Sequence, residues 1–355
     1  MERALSQFVV LENVTVKQAM RQIDENGEKI LFVVDQNKQL VGSVSDGDIR
    51  RWILAEGSME APVSQVSNKQ PFTVHERYDR QELRKTALRE RYECIPVLDA
   101  GRRILELLFW TDLFGDDVSH LALRPLTTPI VIMAGGKGTR LAPFTSILPK
   151  PLIPIGDKSI LEIIIGKFLP HGVDSFFVSL NHKSRIIKSY FEDISPPYAL
   201  QYIEEVKPSG TAGSLRLLRG KIRDRLLVTN CDIIVDADYA DFESLHRSEG
   251  NVITLVSSLK QYILQYGVCQ IQNGVGLVKI TEKPQFDFLV NTGMYIVEAE
   301  ALDLIPEEVV FHMTELIEAV KSKGGRVGVY PISERSWIDV GEWGEYKQAL
   351  QRMSI

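Results

Sequence analysis

The sequence predicts an α/β protein: a Rossmann-like, mostly parallel mixed sheet flanked by helices, with a smaller α+β pair in front of it. Three observations carry that reading. From Pro129 onward, apolar strand-like runs alternate with amphipathic helical stretches, the order that builds parallel crossovers. In the first third, one unit recurs at a fixed offset. The length of 355 residues exceeds one small domain and matches about two.

The repeated unit begins with a helix-like stretch from Val16 to Glu25. The buried-strand run ILFVVD follows, and then QNKQLVGSVSDGDIRR. The same order returns as DRQELRKTALRERY, CIPVLD and AGRRILELLFWTDLF. Asp35 and Asp99 end the two strand runs 64 residues apart, and Asp48 and Asp112 repeat that spacing. Each copy reads as a strand pair with one amphipathic helix. That is too little to bury a core alone, so the copies are expected to pack together. Asp48, beside Arg50 and Arg51, also reads as a helix start steadied by local charge pairs. From Phe114 to Thr128 no period is visible and Pro125 interrupts. The expected boundaries are therefore 1–118 for the pair, 119–128 for a linker and 129–355 for the larger domain.

The stretch from Pro129 to Pro154 carries the chemistry. The apolar run Ile130 to Met133 empties into Gly135-Gly136-Lys137-Gly138, with Arg140 next and Lys150 set between two prolines. Glycines let backbone amides approach an anion, and the two cations add charge for phosphates beyond the amides' reach. Two familiar glycine loops are excluded. A P-loop needs Ser or Thr directly after Gly-Lys, where Gly138 stands. A dinucleotide fingerprint started at Gly136 would need its third glycine at Leu141. What remains is a triphosphate cradle.

Further along, Ile160, Ile163, Ile164 and Phe168 have helical spacing, in a segment ending near Gly172. DSFFVSLNH reads as a strand and KSRIIKSYFED as a helix. In EEVKPSGTAG, Pro208 and Gly210 force a turn, and Thr211 opens a helix whose first amides are expected to face a polar ligand. RLLVTNCDIIVD reads as a buried central strand with Asp232 at the end that faces the cradle, where a divalent cation would sit. Asn273-Gly274 signals a hairpin turn, and Asp339 falls in a short strand before a last helix.

GGKGTRLAPFT followed by LPKPLIPIGDKSILE resembles the signature of the sugar-1-phosphate nucleotidyltransferases, and the wording is similar to the mannose-1-phosphate guanylyltransferase-like branch. The resemblance implies the nucleotide-diphospho-sugar transferase fold. It also implies transfer of a nucleotidyl group, with GTP favoured, to a hexose or hexosamine 1-phosphate, giving NDP-sugar and pyrophosphate. It places nucleotide contacts on Ala134, Gly135, Gly136, Gly138, Thr139, Arg140 and Thr211, and base contacts on Glu205, Pro208 and Gly210. Sugar-phosphate contacts fall on Glu282, Lys283, Asn291, Thr292 and Gly293, and Mg²⁺ on Asp232 and Asp339. Arg140, Lys150 and Asp232 are the catalytic set. Cys231 stands where the pattern has glycine, and Glu342 where it has proline after Asp-x-Gly.

GSVSDGDI and IPVLD resemble a CBS-domain pair, which implies an adenine nucleotide held by Ser45, Asp48 and Asp112. The second copy departs from the pattern with Glu106 and Phe109 at the glycine and hydroxyl positions, so a purely architectural dimerisation role stands beside ligand sensing. A CBS pair fused to this transferase type is similar to the glucosamine-1-phosphate guanylyltransferases of nonulosonic-acid pathways. Glucosamine, mannose or heptose 1-phosphate is the acceptor this implies. The rival functions are a uridylyl-, cytidylyl- or thymidylyltransferase of the same fold, and a non-catalytic nucleotide sensor.

Composition narrows the classes. A net charge of −6 argues against a general nucleic-acid binder. Cys94, Cys231 and Cys269 are scattered, as in a reducing compartment. The start MERALSQFVV reads as no signal peptide, and no apolar run approaches the ~20 residues of a membrane span. A cytoplasmic homo-oligomer is expected. None of the six histidines has ligand spacing, and no nucleophilic triad is visible.

Overall fold

The computed structural model describes residues 5–90, 92, 94–109, 112–113, 124–205, 207–272, 274, 276–332, 334 and 336–353. The chain divides into two compact units, Met1–Leu121 and Ala122–Ile355. Residues 119–123 of the expected linker and Asn273 of the expected turn lie outside the described residues. The remainder of that linker packs on the larger unit: Arg124 pairs with Asp238 at 2.6 Å, and the Thr128 hydroxyl donates to Glu243 at 2.7 Å.

In the smaller unit each copy is a three-stranded sheet, one strand more than the sequence reading gives. Val9–Leu11 runs parallel to Ile30–Val34, which pairs antiparallel with Leu40–Ser45. Val74–His75, Cys94–Leu98 and Ile104–Phe109 repeat the arrangement. The outer strands hold three and two residues, too few to show alternation in sequence. The register repeats with the 64-residue spacing, Val10 opposite Val33 and Val74 opposite Val97, and a bulge follows Val33 and Val97 alike. The copies meet where Gln39 bridges Arg103, two positions that are themselves equivalent, as a twofold relation between the copies requires. Phe8, Phe32, Leu40, Leu98 and Phe109 form a core drawn from both copies. The helix Val16–Asn26 is fixed by a Thr15–Gln18 capping box and buries Val16, Ala19, Met20 and Ile23 on one face.

The larger unit is built on a seven-stranded sheet. Its order is Ala199–Glu204, Ser175–Leu180, Ile130–Met133, Arg225–Asn230, Gln285–Glu298, Ile253–Ile263, Val327–Ile332. The first four strands are mutually parallel, and Gln285–Glu298 is antiparallel to both its neighbours. Both faces are covered: Ile130, Ile132 and Leu227 enter one apolar core, and Val131, Leu226 and Val228 enter the other. Each such buried side chain stabilises the fold by about 1.5–3 kcal/mol, so the central strand is rigid. The helix Ile160–Gly166 is shorter than its apolar spacing suggests, because the chain tightens into a Leu169–His171 turn around Pro170 before Gly172 at φ +77°. The continuous run expected to end at Asp232 breaks after Asn230. Ile233–Val235 then leaves the sheet to pair with Trp337–Asp339.

Candidate functional site

Four parallel strands end on one edge of the sheet, and the loops that follow them meet there. Gly135, Asn181, Glu205 and Cys231-Asp232 all lie just past a strand's C-terminus, where ligands of open α/β sheets collect. A cavity of about 450 Å³ opens at this edge, walled by the glycine turn, Lys150, Asn230 to Asp232, and the turn from Pro208 to Thr211.

The glycines are dictated by close approach. A Cβ on Gly135 would stand 3.1 Å from Glu205 Oε1; one on Gly138 would stand 2.9 Å from Lys150 Cβ and 2.9 Å from Thr145 Cγ2. Gly138 also sits at φ +65°, which favours glycine. The turn thus runs from the Glu205 carboxylate at one end to the aliphatic stem of Lys150 at the other. Thr145 belongs to the one-turn helix Phe144–Ile147, whose last carbonyls have no helical partners. Lys183 Nζ meets the carbonyls of Thr145, Ser146 and Ile147 at 2.9, 2.8 and 3.0 Å. The C-terminal helix Trp343–Met353 grips the same loop, with Trp343 Nε1 donating to the Ala142 carbonyl at 2.8 Å.

At the cationic end, Lys150 is buried and donates to Asp232 Oδ2 at 2.7 Å. Arg140 reaches Glu342 Oε1 at 2.9 Å, with both side chains exposed. That bond to Glu342 is the main reason the guanidinium holds its proton more tightly than usual. Asp339 pairs in register with Ile233, and the Val340 amide donates to the Asp232 carbonyl at 2.8 Å, so the two aspartates are neighbours. Burial raises the Asp339 carboxyl, the Gly341 amide opposes this, and Asp232 adds a further upward push. A Cβ on Gly341 would stand 2.7 Å from Asp339 Oδ1 and 3.4 Å from both Arg140 Nη2 and Lys150 Nζ. One small volume therefore holds two cations and a carboxylate. Burial pushes the Cys231 thiol up to about 12, which leaves it a poor nucleophile. Among the described residues no group of three or more His, Cys, Asp or Glu converges. Two carboxylates alone suit a hard divalent cation that completes its shell with water and phosphate oxygens.

At the other end, Glu205 is held from inside the protein. Its Oε1 accepts from Ser179 Oγ at 2.8 Å; its Oε2 accepts from the Ser209 amide at 2.9 Å and hydroxyl at 2.6 Å. The amides expected to face a ligand after Gly210 are occupied: Ala212 and Gly213 both donate to the Phe311 carbonyl at 3.0 Å, and Thr211 donates to His312 Nδ1. The helix there is only Gly210–Gly213.

The structure gathers Gly135, Gly136, Gly138, Thr139, Arg140, Lys150, Glu205, Pro208, Gly210, Thr211 and Asp232 around one cavity. Ala134 lies buried beneath it. Of the five expected sugar-phosphate contacts, Gly293 abuts the wall, since a Cβ there would meet Asn230 Nδ2 at 2.5 Å. Glu282, Lys283 and Asn291 are exposed and outside the lining. Thr292 corrects the sequence reading: it is buried, and its hydroxyl donates to the Val256 carbonyl at 2.8 Å. In the smaller unit, Ser45 and Asp48 form the capping box of the helix Asp46–Leu54, and in the second copy Asp112 Oδ2 accepts from the Phe109 amide at 2.8 Å, the equivalent of one of that box's two bonds. Sequence reasoning passed over Ser179, Ser209, Asn230 and His312. Asn230 precedes Asp232 by two residues and could have been found from that spacing; the others required the fold.

The chain belongs to the nucleotidyl transferase family, whose profile matches residues 130–354. The CBS domain profile matches residues 6–55, so a CBS domain precedes the transferase. A UTP–glucose-1-phosphate uridylyltransferase of Synechocystis is 28% identical over 242 residues, 62% of this chain and 62% of that protein. The catalytic subunit beta of a mannose-1-phosphate guanylyltransferase of Dictyostelium discoideum is 30% identical over 220 residues, 60% of each. The chain spans about three fifths of the length of these curated relatives. Among solved structures, HddC from Yersinia pseudotuberculosis is 25% identical with a TM-score of 0.50, covering 63% of this chain and 99% of that one.

Proposed function

We propose that this protein is a sugar-1-phosphate nucleotidyltransferase that takes GTP as donor and a hexose or hexosamine 1-phosphate as acceptor. The observation that carries this reading is the glycine turn, which abuts Glu205 at one end and the Lys150–Asp232 pair at the other. That separation suits a nucleotide lying along the turn with its phosphates toward the cations. An oxygen of the sugar phosphate attacks the α-phosphorus in line, the bond from that phosphorus to the bridging oxygen breaks, and pyrophosphate leaves. Both reactants are anions, so the residues' work is alignment and charge neutralisation, with no covalent intermediate. Arg140 and Lys150 meet the charge developing on the transferred phosphoryl and the leaving group. Mg²⁺, held by Asp232 and Asp339, would supply further neutralisation of the same phosphate oxygens. Glu205, pinned by Ser179 and Ser209, keeps one lone-pair site on Oε1 for a donor on the Watson–Crick edge of guanine.

In the smaller unit we assign Ser45, Asp48 and Asp112 to an adenine nucleotide, with assembly of the chain into a homo-oligomer. Residues 1–118 and 129–355 are the corresponding functional halves, and the reaction belongs in the cytoplasm. The test is pyrophosphate release over a grid of NTPs and sugar 1-phosphates, with and without AMP or ATP. Turnover with GTP that Asp232→Asn abolishes supports the reading. A preference for UTP, as in the Synechocystis relative's name, would replace the donor; no turnover with any pair would leave a nucleotide-binding protein.

A further inference from the structure

The geometry points to His312 as a specificity-determining residue that donates a hydrogen bond from Nε2 to the nucleoside part of the bound nucleotide. His312 lies far along the chain from the glycine turn, yet it lines the same cavity. It arrives there because the segment around Phe311 closes over the Pro208–Thr211 turn. Gly210 sits at φ +89°, and a Cβ on it would stand 2.4 Å from the Phe311 carbonyl oxygen. The Phe311 amide in turn donates to the Ser209 carbonyl at 2.8 Å.

Two contacts meet Nδ1 of the ring, the Thr211 hydroxyl at 3.5 Å and the Thr211 backbone amide, and the amide assigns the proton. The Thr211 backbone amide donates to His312 Nδ1 at 3.3 Å. A backbone N–H cannot accept, so Nδ1 uses its lone pair and Nε2 carries the N–H. Nothing else about the residue is left to satisfy. Its own amide donates to Glu315 Oε2 at 2.7 Å, and the Thr211 hydroxyl that flanks the ring accepts from the Met313 amide at 3.0 Å. Nε2–H has no partner among the described residues, and the side chain is exposed to the cavity mouth. The result is an Nε2–H donor held in one orientation.

Its place along the cavity decides what it meets. His312 is bonded to Thr211, next to Gly210 and Ser209, and Ser209 holds Glu205. Glu205 in turn abuts Gly135 at the end of the turn remote from Lys150 and Asp232. Phosphates belong at the cationic end, so His312 faces the nucleoside. This inference rests on the transferase reading for what the nucleotide is used for, but not for the binding itself.

The test is calorimetric binding of GTP, UTP and dTTP, and of inorganic tripolyphosphate, to the full chain and to His312→Ser and His312→Gln. Serine keeps the start of the helix Met313–Ser322, since it is a favoured cap, while removing the ring. Glutamine keeps both an acceptor for Thr211 and a donor. Loss of one neutral hydrogen bond weakens binding by roughly tenfold. The expected result is that loss in His312→Ser for the tightest-binding NTP, with tripolyphosphate unaffected and most of the affinity regained in His312→Gln. In turnover, KM for the NTP rises while kcat and KM for the sugar 1-phosphate hold. Unchanged NTP affinity in His312→Ser, or an equal loss for tripolyphosphate, overturns the inference. Binding that behaves as expected without any turnover would sink the transferase reading and leave this one standing.

Discussion

Two of the cavity's cations, Lys150 and Arg140, are held in opposite ways. Lys150 is sunk in the wall and bonded to Asp232, with side-chain exposures of 7% and 22%; Arg140 meets Glu342 in open solvent, at 60% and 57%. The first arrangement is costly to disturb, because removing one partner leaves a poorly solvated charge behind. The second is a screened surface pair worth a few tenths of a kcal/mol, and it is readily exchanged for a phosphate. The lesson is a division of labour. Lys150 fixes a charge in the wall before any ligand arrives, whereas Arg140 is held only by an exposed partner.

The strongest way to break this contrast is Lys150→Met. It should cost about 3 kcal/mol of stability, seen as a lower denaturant midpoint, together with turnover reduced by roughly 10²-fold or more. Arg140→Met should reduce turnover by about as much and leave the midpoint where it was; if both variants lose equal stability, the distinction fails. Gly341→Ala comes next. Its Cβ would press on Asp339 Oδ1 at 2.7 Å and approach both cations, so kcat should fall about tenfold while the remote core stays intact by near-UV circular dichroism. A smaller effect is expected from Glu342→Gln, which frees Arg140. KM for the NTP should fall about two- to threefold at low salt, and the difference should vanish in ~0.5 M salt. Persistence of that difference at high salt would mean the pair is more than a surface clasp.

A control comes from a buried cluster with no place in the cavity. His246 accepts or donates at Thr254 Oγ1 (2.7 Å) and Glu298 Oε1 (3.0 Å), and burial lowers its pKa against the opposing pull of Glu298. The unfolded chain, with histidine near ~6.5, therefore binds the proton more readily than the native state. Stability from this site is present above that pH and drains away as pH falls below it. His246→Gln should flatten the slope of unfolding free energy between about pH 5 and 7 by a few tenths of a kcal/mol, without altering turnover.

Much of this was legible because it depends on neighbours in sequence. The strand into Gly135, the cations at 140 and 150, and the duplicated register all follow from local pattern. Asp232 and Asp339 were identifiable as strand-end carboxylates with family-like surroundings, although nothing in the spacing showed that Ile233–Val235 would leave the main sheet to seat them side by side. What escaped was long-range. Ser179 pins Glu205 from the neighbouring strand, 26 residues away, and His312 reaches Thr211 across about a hundred residues, so no short window of sequence contains either arrangement. Thr292 misled for the same reason, since only the pairing of its strand reveals the Val256 carbonyl it serves.

The ammonium of Lys183 braces a loop that cannot brace itself. The loop beside Gly138 has no long helix or strand of its own, and its closing carbonyls are tied by a side chain that emerges just past a central strand. Its stiffness is therefore on loan from the sheet. Trimming that one tether would let the wall near Gly138 breathe while the scaffold beneath stayed taut, and hydrogen exchange would quicken at residues 144–148 long before it quickened at 130–133.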